Sequence, residues 1–172
     1  VVGGSLGAQA LNALVPAAVA TLATARRPTI VHQSGERHLA ALREAYARAG
    51  VAAECVAFID DMAARYAWAD FVVCRGGALT VSELAAVGLG ALVVPLPGAI
   101  ADEQSANAQF LVAANAAWKE PQDTLTPERL AARIESLDRA RCLAMASAAH
   151  AQGKRDAASR VADVCLGFGA RP

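Results

Sequence analysis

The sequence predicts an α/β fold: a doubly wound, Rossmann-like parallel sheet with helices on both faces, ending in a helical tail. Three observations carry that prediction. Short apolar runs recur at Thr29-Ile30-Val31-His32-Gln33, Val51 to Val56, Phe71-Val72-Val73-Cys74 and Ala91-Leu92-Val93-Val94. They lack strict polar alternation, as strands covered on both faces do. They are separated by segments with helical spacing of apolar residues, the order that makes parallel sheets. Glycine-rich turns stand where strands run into helices. A chain of 172 residues with 55% hydrophobic composition can bury a sizeable core.

The elements follow in order. Val1-Val2-Gly3-Gly4-Ser5-Leu6-Gly7 reads as a strand end entering a glycine turn, so upstream chain is expected before Val1. Leu11, Leu14, Val15, Ala18 and Leu22 mark a helix, with Pro16 kinking or restarting it. After the strand at Thr29–Gln33, Ser34-Gly35 turns the chain. Glu36 to Ala49 is expected to be a helix with Leu39, Leu42, Ala45, Tyr46 and Ala49 on one face, and Gly50 is its C-terminal cap. Asp60 or Asp61 is expected to cap a short helix through Trp68. Arg75-Gly76-Gly77-Ala78-Leu79 is a second glycine turn, followed by a helix over Thr80 to Val87. Gly88 and Gly90 bracket the next connection.

Pro95 to Ala101 is a loop, and Glu103 to Ala114 a helix. Gln122 to Leu125 reads as loop. Thr126-Pro127-Glu128 has the cap, first-turn proline and early acid of a helix start, with Leu130, Ile134 and Leu137 as its apolar face. Two further helices are expected at Arg139 to Gln152 and Asp156 to Phe168, separated by Gly153-Lys154-Arg155.

Composition narrows the function. Lys and Arg number 16, Asp and Glu 16, for zero formal net charge. That argues against a polycationic nucleic-acid binder and leaves room for a small anion site. Cys55, Cys74, Cys142 and Cys165 have no paired CxxC spacing and are expected to be buried free thiols. His32, His38 and His150 lack metal-ligand spacing. No run is apolar enough to span a bilayer and no signal peptide opens the sequence, so a reducing cytoplasm is the expected setting.

Ligands of doubly wound sheets sit beyond the carboxyl ends of the strands. The loops to inspect are therefore 3–7, 58–61, 75–80 and 95–104. Both glycine turns lead into helix starts, where unpaired N–H groups and the helix dipole favour phosphate. Ser5 can add a hydroxyl. Two such loops can hold a diphosphate; each can equally be a structural turn. Neither is a Walker A loop or a complete GxGxxG pattern. Arg75 reads either as an anion contact or as a surface or salt-bridge residue. Glu83 can accept both hydroxyls of a ribose, or serve as a capping-box acid for Thr80 or a surface partner of Ser82. Asp102, Glu103, Gln104 and Asn107 can read sugar hydroxyls or be solvated helix-start residues.

The runs Gly3-Gly-Ser-Leu-Gly-Ala-Gln, His32-Gln-Ser-Gly, Phe58-Ile-Asp-Asp-Met-Ala, Tyr66-Ala-Trp-Ala-Asp and Cys74-Arg-Gly-Gly-Ala-Leu-Thr-Val-Ser-Glu-Leu together resemble the MurG family. Leu125-Thr-Pro-Glu-Arg-Leu and Val161-Ala-Asp-Val-Cys-Leu extend the likeness over essentially the whole chain. These are bacterial peptidoglycan-synthesis enzymes. They transfer N-acetylglucosamine from UDP-N-acetylglucosamine to undecaprenyl-pyrophosphoryl-N-acetylmuramoyl-pentapeptide.

The resemblance implies that residues 1–172 form the single C-terminal, donor-binding domain of a GT-B glycosyltransferase, with the acceptor-binding N-terminal domain outside this sequence. It implies substrate contacts at Ser5 (diphosphate), Ile59 (uracil edge), Ala78, Leu79 and Thr80 (second phosphate turn), Glu83 (ribose), and Glu103 and Gln104 (donor sugar). It implies inverting transfer, catalytic residues in the missing domain, no cofactor and no protein-held metal. It also implies a peripheral protein at the cytoplasmic face of the inner membrane, bound there through the missing domain. Relatives carry other residues where this chain has Gly76, Gly77, Gly90 and Gly98, and these glycines are expected to loosen their loops. Rival readings are a donor domain of another UDP-sugar transferase or epimerase, and a non-catalytic nucleotide-binding module. An NAD-dependent Rossmann enzyme lacks its fingerprint here.

Overall fold

The computed structural model describes residues 1–4, 8–98 and 102–169. Five strands run parallel: β1 Val31–Gln33, β2 Glu54–Val56, β3 Phe71–Cys74, β4 Gly90–Val93 and β5 Ala117–Lys119. The hydrogen-bonded pairs are β1 with β2, and β3 with β4 and β4 with β5. Val2 joins the two groups through parallel bridges to Gln33 and Cys74. Its N–H donates to Val73 O at 2.9 Å, and Gln33 N–H donates to Val1 O at 3.0 Å. The spatial order is therefore β2, β1, Val2, β3, β4, β5. Counting Val2 as the first strand, this is the 3-2-1-4-5-6 order of a doubly wound fold. The order reverses between Val2 and β3, the switch point where doubly wound folds bind ligands beyond the strand ends.

Side chains alternate across the sheet and divide the core between its two faces. Val73, Leu92 and Val94 pack with Leu11, Val15 and Val19 of α1 (Gln9–Thr21), Leu42 and Tyr46 of α2 (Leu39–Ala49), and Leu130 of α6 (Pro127–Glu135). Val72, Cys74, Ala91 and Val93 pack on the other side. Their partners are Tyr66 of α3 (Met62–Trp68), Val81 and Leu84 of α4 (Ala78–Val87), Leu111 of α5 (Glu103–Ala113) and Ala149 of α7 (Arg139–Ala151). The last helix, α8 (Ala157–Gly169), leaves Val161, Val164 and Leu166 exposed.

Local signals account for most boundaries. Asp61 Oδ1 accepts Ala64 N–H at 2.9 Å and starts α3; Thr126 Oγ1 accepts Arg129 N–H and starts α6. Gly50 ends α2 in the left-handed region at φ 61°. Four expectations are corrected. Pro16 lies inside α1, so the helix does not restart there. Residues 36–38 form a tight 3₁₀ turn before α2 rather than its first turn. Leu137 lies beyond the end of α6. Strand β5 was not expected: Ala-Trp-Lys is too short and too mixed for a periodicity signal, and pairing with β4 makes it a strand.

Gly88 caps α4 with φ 77°, and both its own N–H and that of Leu89 donate to Leu84 O. A Cβ there would lie 3.0 Å from His150 Cβ and 3.1 Å from Ala146 O. Gly88→Ala is therefore expected to cost about 2 kcal/mol, combining left-handed strain with crowding against α7. Urea denaturation measures this, and a loss below about 0.5 kcal/mol would contradict it.

Candidate functional site

The turn after β3 is built by close packing. The ideal Cβ position of Gly76 lies 2.3 Å from Gln104 O, so glycine lets α5 approach the turn. Gln104 Oε1 accepts from Gly76 N–H at 3.2 Å and Leu96 N–H at 3.0 Å, and Asn107 Nδ2 donates to Gly76 O at 3.0 Å. The loops after β3 and β4 are thus clipped together by the start of α5. The expectation of looser loops is corrected at two glycines. Gly76 is packed against Gln104, and at Gly90 a Cβ would meet Met145 Cβ at 2.8 Å. Gly77 and Gly98 have open surroundings, and Gly98 has φ +72°.

Arg75 turns toward the protein. Its Nη1 donates to Val94 O at 3.0 Å and Pro95 O at 3.2 Å, and its Nη2 to Gln122 Oε1 at 2.6 Å. Arg75 is half-buried and forms no salt bridge among the described residues. It is a brace between the β4 and β5 ends, and burial lowers its pKa from the ordinary value.

Helix α4 starts at Ala78 with Gly77 as its cap and no side-chain cap bond. Its first helical bond runs from Val81 N–H to Gly77 O at 3.0 Å. The amides of Ala78, Leu79 and Thr80 precede it and lack partners within the helix. Ala78 and Leu79 are exposed and Thr80 half-buried. The sequence placed Ala78 and Leu79 in the turn; they are the first helical residues, because Gly77 takes the cap position.

Glu83 is exposed on the same helix and accepts a hydrogen bond on Oε2 from Tyr66 Oη at 2.9 Å. With Gly77 as cap, the capping-box pairing with Thr80 does not occur. Ile59 is buried at the loop preceding Asp61 and α3. Glu103 is exposed in the first turn of α5, and Gln104 is half-buried with its carbonyl oxygen occupied, leaving Nε2.

Ser5 lies outside the described residues. The frame beside it is described. Gly4 has φ +82°, and Gln33 Nε2 donates to Gly4 O at 3.2 Å. Next to Gln33, His32 is fully buried between Asn12 and Tyr46. Asn12 Nδ2 donates to Ser34 O at 3.3 Å, which leaves Asn12 Oδ1 to accept from His32 Nε2 at 3.0 Å. His32 Nδ1 is then the acceptor for Tyr46 Oη at 2.9 Å. This chain of bonds ties α1 to β1 and α2 just behind the first glycine turn. Burial lowers the His32 pKa to about 3, so the ring is neutral at pH 7.

The four thiols are free, but only Cys74 is buried; Cys55 and Cys142 are half-buried and Cys165 is exposed. The expectation of burial is corrected for these three, because the helix and strand faces that carry them are only partly covered. Burial pushes the Cys74 thiol up to about 12, which makes it a poor nucleophile. Among the described residues no cluster of three or more His, Cys, Asp or Glu could hold a metal, and no helix is long and apolar enough to cross a membrane. Sequence reasoning missed Tyr66 and Gln122 as site partners. They stand 17 and 47 residues from Glu83 and Arg75, and no local pattern links them.

The model of the glycosyltransferase family 28 C-terminal domain matches residues 1–161. The chain is 56% identical over 165 residues to a Bordetella parapertussis protein named UDP-N-acetylglucosamine--N-acetylmuramyl-(pentapeptide) pyrophosphoryl-undecaprenol N-acetylglucosamine transferase, covering 96% of this chain and 46% of that one. The protein of the same name from Aromatoleum aromaticum is 58% identical over 165 residues, with the same coverage of 96% and 46%. The crystal structure of Acinetobacter baumannii MurG superposes with a TM-score of 0.89 at 41% identity, over 95% of this chain and 49% of that one. The chain spans about half the length of the curated relatives it matches.

Proposed function

The chain belongs to the glycosyltransferase family 28 C-terminal domain family, and we propose that it is the donor-binding domain of an inverting N-acetylglucosamine transferase. In this reading UDP-N-acetylglucosamine occupies the crevice where the strand order reverses. The Ile59 backbone reads the uracil edge and Glu83 accepts the ribose hydroxyls. The amides of Ala78, Leu79 and Thr80, with Ser5 and its neighbouring backbone, hold the diphosphate. Glu103 and the Nε2 of Gln104 face the sugar. The carrying observation is the start of α4, where three amides without helical partners stand on the same helix as an exposed carboxylate.

The reaction moves the sugar to the lipid-linked muramoyl-pentapeptide acceptor. The acceptor hydroxyl attacks the anomeric carbon as the bond to the diphosphate oxygen breaks, and configuration inverts. Charge grows on the leaving UDP, and the helix-end amides are aimed where it grows. The hydroxyl proton passes to a base on the acceptor-binding domain, which also carries the membrane contact at the cytoplasmic face.

Calorimetry on the full-length protein tests the reading. Glu83→Ala should weaken UDP-N-acetylglucosamine binding about 10- to 100-fold, the loss of charge-assisted hydrogen bonds. Unchanged affinity rejects the ribose role. A preference for the N-acetylgalactosamine donor over the N-acetylglucosamine donor rejects the sugar assignment.

A further inference from the structure

A carboxylate on an exposed helix face samples several rotamers, and few of them present both oxygens to a ribose diol. Glu83 is tethered by one hydrogen bond, from Tyr66. Tyr66 comes from α3, the helix that follows the Ile59 loop, and its ring is only 5% exposed. Ile59, Met62 and Tyr66 line one apolar cavity, so the ring is anchored beside the loop that carries Ile59. From that anchor its hydroxyl donates to Glu83 Oε2 at 2.9 Å, leaving Oε1 and a second lone pair of Oε2 unused by Tyr66.

We propose that Tyr66 is a positioning residue for the nucleoside. Its hydroxyl sets the Glu83 carboxylate for the ribose diol and fixes the span between the base-reading loop and the ribose acceptor. The proposal rests on the ribose reading of Glu83. A uridine joins base and ribose rigidly, so a site gains affinity when its two subsites are already spaced for it. The hydroxyl stays a donor at working pH, because burial and the neighbouring Glu83 both raise the tyrosine pKa.

Tyr66→Phe in the full-length protein removes one oxygen and keeps the ring. Because Glu83 is exposed and can rehydrate, melting temperature and circular dichroism should stay close to the parent values. The dissociation constant of UDP should rise about five- to tenfold, the scale of one hydrogen bond's worth of organisation. That of 2′,3′-dideoxy-UDP, which has no hydroxyls for Glu83, should not change. Added to Glu83→Ala, the substitution should bring no further loss. Equal weakening of both nucleotides assigns Tyr66 a merely structural role and overturns the proposal. So does UDP binding that Tyr66→Phe leaves intact while Glu83→Ala weakens it. If Glu83→Ala itself leaves UDP binding intact, the ribose reading fails and the proposal falls with it.

Discussion

Acidification should destabilise the protein through His32, with the loss starting near pH 6.5 and growing toward pH 3. The folded-state pKa is depressed to about 3 from the ordinary imidazole value of 6.5. Between those values the unfolded chain binds a proton that the folded chain refuses, so stability falls as pH falls. At pH 7 both states are neutral and the full stability is present. The slope approaches about 1.4 kcal/mol per pH unit below 6.5, and the total is on the order of 4 kcal/mol by pH 3. The cause is burial, which penalises a charged ring with no access to water. The ring has one N–H, spent on Asn12, and its other nitrogen must stay bare to accept from Tyr46. A second proton on that nitrogen would force the buried Tyr46 hydroxyl to give up its donation to the ring.

Urea denaturation from pH 7.5 to pH 4 should show this slope, reduced in His32→Gln. Parallel pH profiles for the two proteins would exclude His32 as the source. Function should follow. Asn12 and Gln33 connect this network to α1 and to Gly4, so donor affinity should weaken in acid before the chain unfolds.

Arg133→Ala should be the second large loss, about 2–3 kcal/mol. Glu120 is 1% exposed at the end of β5. Its Oε1 accepts from Arg133 Nε at 2.9 Å and Nη2 at 2.7 Å. Arg129 Nη2 lies 2.7 Å from Oε2 but off the line of a hydrogen bond. Truncating Arg133 therefore leaves a buried carboxylate with no aligned hydrogen bond and only the Arg129 charge beside it; breaking a fully buried pair costs 3–5 kcal/mol or so. The Arg133 side chain is 40% exposed, and solvent screening reduces the figure. The same substitution removes a cation from 5.0 Å above the Trp118 ring. Arg129→Ala should cost less than 1 kcal/mol or so, because Arg129 is 51% exposed and its bond is misaligned. Denaturation of the two variants side by side checks this, and an Arg129 effect as large as the Arg133 effect would refute the assignment.

The legible parts of the fold are those with local causes. Phe71–Cys74 reads as a strand because four consecutive apolar residues suit a position covered on both faces. Asp61, Thr126 and Gly50 read as caps because their chemistry acts within a few residues of chain. Strand β5 was hidden, because three residues carry no period and only the β4 edge selects them. The site divides the same way. Glycine turns ahead of helices are visible as missing side chains. The reason for Gly76, a carbonyl arriving from α5, is not visible.

The order of strands and helices apart from β5, the glycine turns and the family likeness were therefore determined by the sequence alone, since periodicity, capping and motif spacing act along the chain. Which polar groups were left for a ligand was decided by the tertiary structure. Arg75 read as an anion contact or as a surface or salt-bridge residue, and its guanidinium donates to Val94, Pro95 and Gln122. Gln104 looked free and has given its carbonyl oxygen to two loops. Glu83 could have been a capping acid, and Tyr66 holds it at the surface instead. The physical reason is common to all three. A hydrogen bond depends on separation in space, and packing the sheet brings together residues that the chain holds far apart.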